Sequence, residues 1–187
     1  IAAGIDGPVA LKVQSPDILH KSEAGAVALS LRAADDVRAA YDKIMASAKA
    51  YNSSADIHGV LVQPMAPAGQ EMILGVNQDE KFGPVLMVGL GGIHVEVLKD
   101  VAFSPVPFGT DDARRLLDQL KGAALLHGVR GEAPADIDAL VDLMVRLSKF
   151  AADHGEQIAE IDLNPVLVHP KGQGVSIADA LIVKSPS

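Results

Sequence analysis

Two hydrophobic periods run along this chain, one of two residues and one near 3.6, and together they divide it into strands and helices. Val9 to Val13 is a β-branched run entered from Gly7-Pro8 and closed by Ser15-Pro16, which predicts a short strand. Ala26 to Leu31 alternates like a second. From Ala33 to Tyr51, Val37, Ala40, Ile44 and Ala48 recur at helical spacing, with Asp35 and Asp36 in the first turn where they favour the helix dipole. Asn52-Ser53-Ser54 ends that helix. Val60-Leu61-Val62 reads as a third strand and runs into Pro64-Met65-Ala66-Pro67-Ala68-Gly69, a linker-like stretch. The expected division is therefore a first subdomain over 1–66 and a second over 67–187. Beyond it, Glu71 to Asn77 and Pro84 to Leu90 read as strands. Thr110 is expected to cap a helix reaching about Leu120. Asp136 to His154 is a longer amphipathic helix carrying Ile137, Leu140, Leu143, Met144, Leu147 and Phe150. Strands come in groups between single helices, which favours α+β over a doubly wound parallel sheet.

The last part of the chain reads as a hairpin. In Glu160-Ile161-Asp162-Leu163-Asn164-Pro165, strand alternation puts Glu160, Asp162 and Asn164 on one face and Ile161 and Leu163 on the other. If the turn centres on Lys171-Gly172, Asp179 falls opposite Asn164 to within one residue of register. Three carboxylates and an amide oxygen then converge on one patch. Two carboxylates about 4 Å apart repel by roughly 4 kcal/mol at an effective dielectric near 20. Hard oxygen ligands of this kind suit Mg²⁺ held jointly by protein and nucleotide phosphates. A solvated acidic face on an edge hairpin fits the same residues.

Composition narrows the field. At 187 residues the chain can form one large domain or two small subdomains. A formal charge of −8 without a basic cluster argues against nucleic acid as a partner. The absence of cysteine excludes disulfides, thiolate metal sites and thiol nucleophiles. Apolar runs such as Val85 to Val88 are far too short to span a bilayer, and no signal peptide is visible, so no membrane partner is expected and a cytoplasmic setting is. The chain begins at Ile1 and almost directly enters a strand, which reads as a piece of a larger polypeptide.

Three further features bear on chemistry. Lys12 sits inside the apolar run Val9-Ala10-Leu11-Lys12-Val13; a buried lysine needs an anion, so it suits a phosphate, whereas on an edge strand it would simply reach solvent. Gly89-Leu90-Gly91-Gly92 follows a strand and either lets backbone approach phosphate or makes a tight turn; it lacks Walker and dinucleotide spacing. His20 lies in the polar loop Ser15-Pro16-Asp17-Ile18-Leu19-His20-Lys21-Ser22-Glu23-Ala24-Gly25. Neutral imidazole there can act as base, metal ligand or phosphoryl acceptor, or do none of these.

Taken in order, Pro8-Val9-Ala10-Leu11-Lys12, the His20 loop, Gly59-Val60-Leu61-Val62-Gln63-Pro64-Met65, Glu71-Met72-Ile73-Leu74-Gly75-Val76, Phe82-Gly83-Pro84-Val85, Gly89-Leu90-Gly91-Gly92 and Glu160 to Pro165 resemble one family. It is the ATP-grasp domain of the NDP-forming (ADP-forming) acyl-CoA synthetases, relatives of succinyl-CoA synthetase. The resemblance runs from about Pro8 to Val183. It implies an ATP-grasp fold of two subdomains with ATP or ADP and Mg²⁺ between them, here with its N-terminal part truncated. It also implies that Lys12 contacts phosphate, that Gln63, Pro64 and Met65 form the hinge beside adenine, and that Glu71 lines the nucleotide site. By the same resemblance Asn164 and Asp179 bind Mg²⁺ with Asp162 close by, His20 is a phosphohistidine, and Arg130 lies near the phosphates.

The implied reaction joins a small carboxylic acid and CoA at the expense of ATP, giving acyl-CoA, ADP and phosphate. CoA and the acid would be met through CoA-binding and ligase domains or a partner subunit, with oligomerisation open, so this stretch alone is expected to be inactive. Where the family shows two glycines after the histidine loop, this chain has Gly25-Ala26. The alternative is a regulatory synthetase-like domain fused to a GNAT protein-lysine acetyltransferase.

Overall fold

Five consecutive residues from Val9 to Val13 are buried, which a strand achieves only when both of its faces are covered. In the computed structural model, which describes residues 1–92, 99–129 and 131–186, this strand is β1 (Val9–Gln14). It lies between two antiparallel neighbours, β2 (Val27–Leu31) and β3 (Gly59–Pro64). Val9, Leu11 and Val13 form a core with Ile44 and Ala48 of α1 (Ala34–Tyr51), joined by Ile18, Ala24 and Ala26 from the loop after β1. Fully burying a side chain such as Ile44 stabilises by about 1.5–3 kcal/mol. No side chain caps α1, so Asp35 and Asp36 in its first turn supply the negative charge that its N-terminus favours. The β1–β2 register shifts by one residue near Ser30, which has φ 59°.

These elements belong to the first of two compact units, Ile1–Met65, the second being Ala66–Ser187. Among the described residues the second unit holds one antiparallel sheet in the order β6-β5-β4-β7-β8, with β9 also paired to β7. Its strands are β4 (Gln70–Asp79), β5 (Gly83–Leu90), β6 (Val101–Pro105), β7 (Ile158–Val168), β8 (Val175–Ile177) and β9 (Ala180–Lys184). One face of the sheet is apolar: Met72, Leu74 and Val76 of β4, Leu86, Val88 and Leu90 of β5, and Ile161, Leu163, Val166 and Val168 of β7. These pack with Leu116 and Leu117 of α2 (Thr110–Asp118) and Leu140, Met144 and Leu147 of α3 (Ile137–His154).

Two local details differ from expectation. Thr110 is the first helical residue of α2 rather than its cap; Gly109 precedes it, and the Gly109 N–H meets the Asp112 carboxylate at 3.5 Å. The helix stops at Asp118, short of Leu120. The strand β6 has too short a pattern to predict, only five residues, closed by Pro105, carrying its alternation.

The stretch joining the units is fastened at both ends. Met65 N–H donates to the Pro8 carbonyl at 2.9 Å. On the other side the Ala68 carbonyl accepts from His169 Nδ1 at 3.2 Å. A carbonyl can only accept, so Nδ1 donates to it, and Nε2 shares a hydrogen bond with the Ser176 hydroxyl at 2.8 Å. Asp136 does comparable work at the base of α3: its carboxylate accepts from Ala139 N–H in the first turn and from Gly172 and Gly174 N–H in the hairpin turn. The bond from Gly174 is the largest cause holding the Asp136 carboxyl below its ordinary value; the bonds from Ala139 and Gly172 and the charge of Lys171 act the same way, while desolvation opposes them.

Candidate functional site

In the first unit, strand pairing decides which residues share a face. Lys12 lies opposite Leu61, and Ala10 opposite Gln63. Directly paired residues point the same way, so Lys12 and Gln63 stand on the face of the sheet away from α1. Lys12 is only 6% exposed. The alternative of an edge-strand lysine reaching water is therefore excluded, since β1 is central and its lysine is buried. Pro64 and Met65 follow Gln63 at the end of β3.

His20 is exposed on the loop between β1 and β2. The loop is pinned on both sides of it. Ile18 is buried in the core before it, Ala24 after it, and Ala24 N–H donates to the His20 carbonyl at 3.2 Å. Backbone bonds from Gly25 to Ser22 and from Ala26 to Lys21 close the turn. Gly25 takes φ +60°, a conformation a side chain would disfavour, whereas Ala26 is fully buried and its methyl fills core space. The replacement of a second glycine by Ala26 thus leaves the loop's one left-handed position to Gly25.

In the second unit Met72, Leu74 and Val76 face the helices, so Glu71, Ile73, Gly75 and Asn77 occupy the opposite face of β4. Asp162 of β7 pairs with Gly75 and joins that face. The hairpin keeps one register from Val168↔Val175 to Glu160↔Val183, the turn being centred between Lys171 and Gly172. Asn164 therefore falls opposite Asp179, and Asn164 N–H donates to the Asp179 carbonyl at 3.1 Å. Here β7 carries a bulge: three steps from Val166 to Leu163 match two from Met72 to Leu74 on β4. Burial along β7 follows, with Ile161 and Leu163 in the core before the bulge and Val166 and Val168 after it. Asn164 itself is exposed. The returning strand is broken between β8 and β9 at Ala178-Asp179, directly across from the bulge.

The donor set is an amide oxygen and carboxylates, all hard oxygen. The expected convergence of Glu160, Asp162 and Asp179 is not met: among the described residues no group of three or more His, Asp and Glu lies close enough to hold a metal by itself. That composition fits a magnesium site, since Mg²⁺ is commonly held by one or two carboxylates with substrate phosphates completing its shell. Arg130 lies outside the described residues. A cavity of about 350 Å³ among α2, α3 and the hairpin turn, lined by Arg114, His127 and Lys171 among others, contains none of the candidate residues. Glu71 also makes a contact that no motif marks: Gly91 N–H donates to its carbonyl at 2.7 Å. Nothing in a linear pattern signals which residue a glycine twenty positions away approaches.

A family model described as the ATP-grasp domain matches residues 1–183. The beta subunit of ADP-forming acetate–CoA ligase II from Pyrococcus furiosus is 44% identical over 182 residues, covering 97% of this chain and 77% of that subunit. ADP-forming acetate–CoA ligase I from Archaeoglobus fulgidus is 45% identical over 175 residues, 94% of this chain but only 25% of the ligase, so the chain spans about a quarter of that relative. An acetyl-coenzyme A synthetase from Ca. Korarchaeum cryptofilum, solved with coenzyme A, Ca-AMPCP and HgCl⁺, superposes with a TM-score of 0.90 at 41% identity, over 98% of this chain and 79% of that one. Among the described residues no helix is long and apolar enough to cross a membrane. By its family match and these relatives, the chain belongs to the ATP-grasp domains of the ADP-forming acyl-CoA synthetases.

Proposed function

We propose that this chain is the nucleotide-binding and phosphoryl-transfer part of an enzyme that makes acyl-CoA, ADP and phosphate from a small carboxylic acid, CoA and ATP. The observation that carries the reading is the hairpin geometry, in which a bulge and a strand break bring Asn164 and Asp179 opposite one another beside Asp162. Asn164, Asp179 and Asp162 are the residues that would hold Mg²⁺. Bound there with the nucleotide, the ion supplies neutralisation of phosphate charge. The relatives point the same way: the Ca. Korarchaeum cryptofilum structure carries a nucleotide analogue with a hard divalent cation, and the reported curated relatives are ligases rather than acetyltransferases.

The chain's own residues then divide the work. Lys12, buried on β1, would offer its positive charge to a phosphate oxygen. Gln63, Pro64 and Met65, at the end of β3, would meet the base, and Glu71, at the start of β4, another part of the nucleotide. His20 is the proposed phosphoryl carrier. Its neutral ring nitrogen attacks the γ-phosphorus of ATP, the bond to the bridging oxygen breaks, and ADP leaves with the electron pair. In the synthetic direction the same bond runs backwards, passing to ADP a phosphoryl group received from the partner module. That module, a CoA-binding and ligase domain or subunit, also meets the acid and CoA.

Full-length protein incubated with γ-labelled ATP is expected to acquire label that is lost in acid and kept in base. His20→Ala should abolish transfer while leaving Mg-ADP affinity nearly unchanged, because the side chain acts on the travelling group rather than on the adenosine. Interconversion of acetyl phosphate and ADP with ATP at the wild-type rate in that variant would remove His20 from the relay.

A further inference from the structure

The chain leaving β5 passes unusually close to Glu71. Gly91 N–H bonds to the Glu71 carbonyl at 2.7 Å, one step beyond the last ladder pair, Met72↔Leu90. A Cβ on Gly91 would stand 2.8 Å from Glu71 Cβ and 3.0 Å from its carbonyl carbon. Those neighbours are backbone or backbone-attached and have no freedom to swing aside. A Cβ on Gly92, which takes φ +63°, would lie 3.4 Å from the carboxylate oxygen Oε2 of the same glutamate. The two glycines therefore serve different needs. Gly91 does not sit in the left-handed region, so its lack of a side chain is required by approach alone; Gly92 is required by its left-handed backbone, a Cβ there making only ordinary contact with the carboxylate.

One consequence concerns the freedom of Glu71. It is exposed, on the strand face that also carries Gly75 and Asp162. An exposed glutamate ordinarily samples many rotamers and loses them when a ligand orders it. Here the Gly91-Gly92 segment runs so near that a Cβ on Gly91 would overlap the root of the side chain and one on Gly92 would touch its tip, and this closeness removes part of that freedom in advance.

We propose that Gly91 and Gly92 are positioning residues of the nucleotide site, acting through Glu71 by holding its carboxylate in the direction from which it meets the nucleotide. The inference rests on the reading of Glu71 as a nucleotide-site residue. It goes further in assigning the glycines a role through the glutamate rather than through direct contact with phosphate.

The test is a double-mutant cycle on the full-length protein, with Mg-ADP affinity measured by titration calorimetry for wild type, Gly91→Ala, Glu71→Gln and the pair. Gly91→Ala is expected to weaken binding about tenfold in the wild-type background and by less than about twofold once Glu71 is already Gln, because coupled residues fail to add. Should Gly91→Ala fold poorly, Gly92→Asn replaces it, since asparagine tolerates a left-handed backbone while still crowding the carboxylate. A merely structural glycine would weaken binding equally in both backgrounds. Equal effects, or no effect of either glycine variant while Glu71→Gln weakens binding, would overturn the positioning role and leave the functional reading standing. Wild-type protein that binds no nucleotide, or Glu71→Gln with unchanged affinity, would overturn the assignment of Glu71 and the positioning role with it.

Discussion

A lysine that is 6% exposed in the middle of a three-stranded sheet is the residue whose placement says most about chemistry. Lys12 is buried on the central strand rather than reaching water from an edge, and by resemblance it is the proposed phosphate contact. Asp179 is the complementary case. Its backbone is fixed across from Asn164 by a hydrogen bond, and its carboxylate is the proposed Mg²⁺ ligand. Asp179→Asn keeps the shape and removes the charge. It should weaken Mg-ADP binding tenfold or more, about 1.4 kcal/mol, in calorimetric titration of the full-length protein. Equal affinity in variant and wild type would take Asp179 out of the site.

At the scale of elements, the second unit is organised by contacts that bind one end of the chain to another. Asp136 caps α3 and holds the hairpin turn through Gly172 and Gly174, so one carboxylate ties the start of the helix to the turn that sets the register of the Asn164–Asp179 pair. The backbone bonds, that from Gly174 foremost, favour the ionised form and depress its pKa from the ordinary 3.8. A depressed carboxylate contributes stability that is fully present above the unfolded value and is lost as pH falls through the folded one. The denaturant midpoint of Asp136→Asn should therefore lie below that of wild type near neutral pH. The gap should close as pH drops from the ordinary aspartate range through the depressed value. A gap that persisted unchanged in acid would show that packing, not the ionised carboxylate, stabilises the turn.

At the scale of the whole molecule, the described residues make two cores that share no residue, one around Leu11, Ile18 and Ile44 and one around Leu74, Leu140 and Met144. Truncation in either core removes apolar contacts and leaves a cavity, at about 2–5 kcal/mol for Ile or Leu to Ala. Hydrogen exchange read by mass spectrometry should place the loss where the contacts are. Ile44→Ala is expected to lower protection in β1 and β3 and leave β4 and β7 unchanged, and Leu140→Ala to do the reverse. Loss of protection across both units from either substitution would show that they unfold as one.

The alternation of Ile161 and Leu163 with Asp162 and Asn164, and a turn at Lys171-Gly172, placed Asp179 opposite Asn164 to within one residue, and the ladder of β7 with β8 and β9 then fixed the register. The helical spacing of Ile44 and Ala48 likewise determined α1 and its buried side. The family resemblance is also carried by short motifs in linear order. Linear pattern could not decide whether Lys12 lies on a central or an edge strand, because that depends on which strands pair with β1 from thirteen and more residues away. Nor could it show the bulge that separates Leu163 from Val166, since a bulge is defined only against the partner strand. The contact of Gly91-Gly92 with Glu71, and the reach of Asp136 and His169 across the second unit, belong to the same class. They join residues distant in the chain, and only the packed sheet brings such residues within hydrogen-bonding distance.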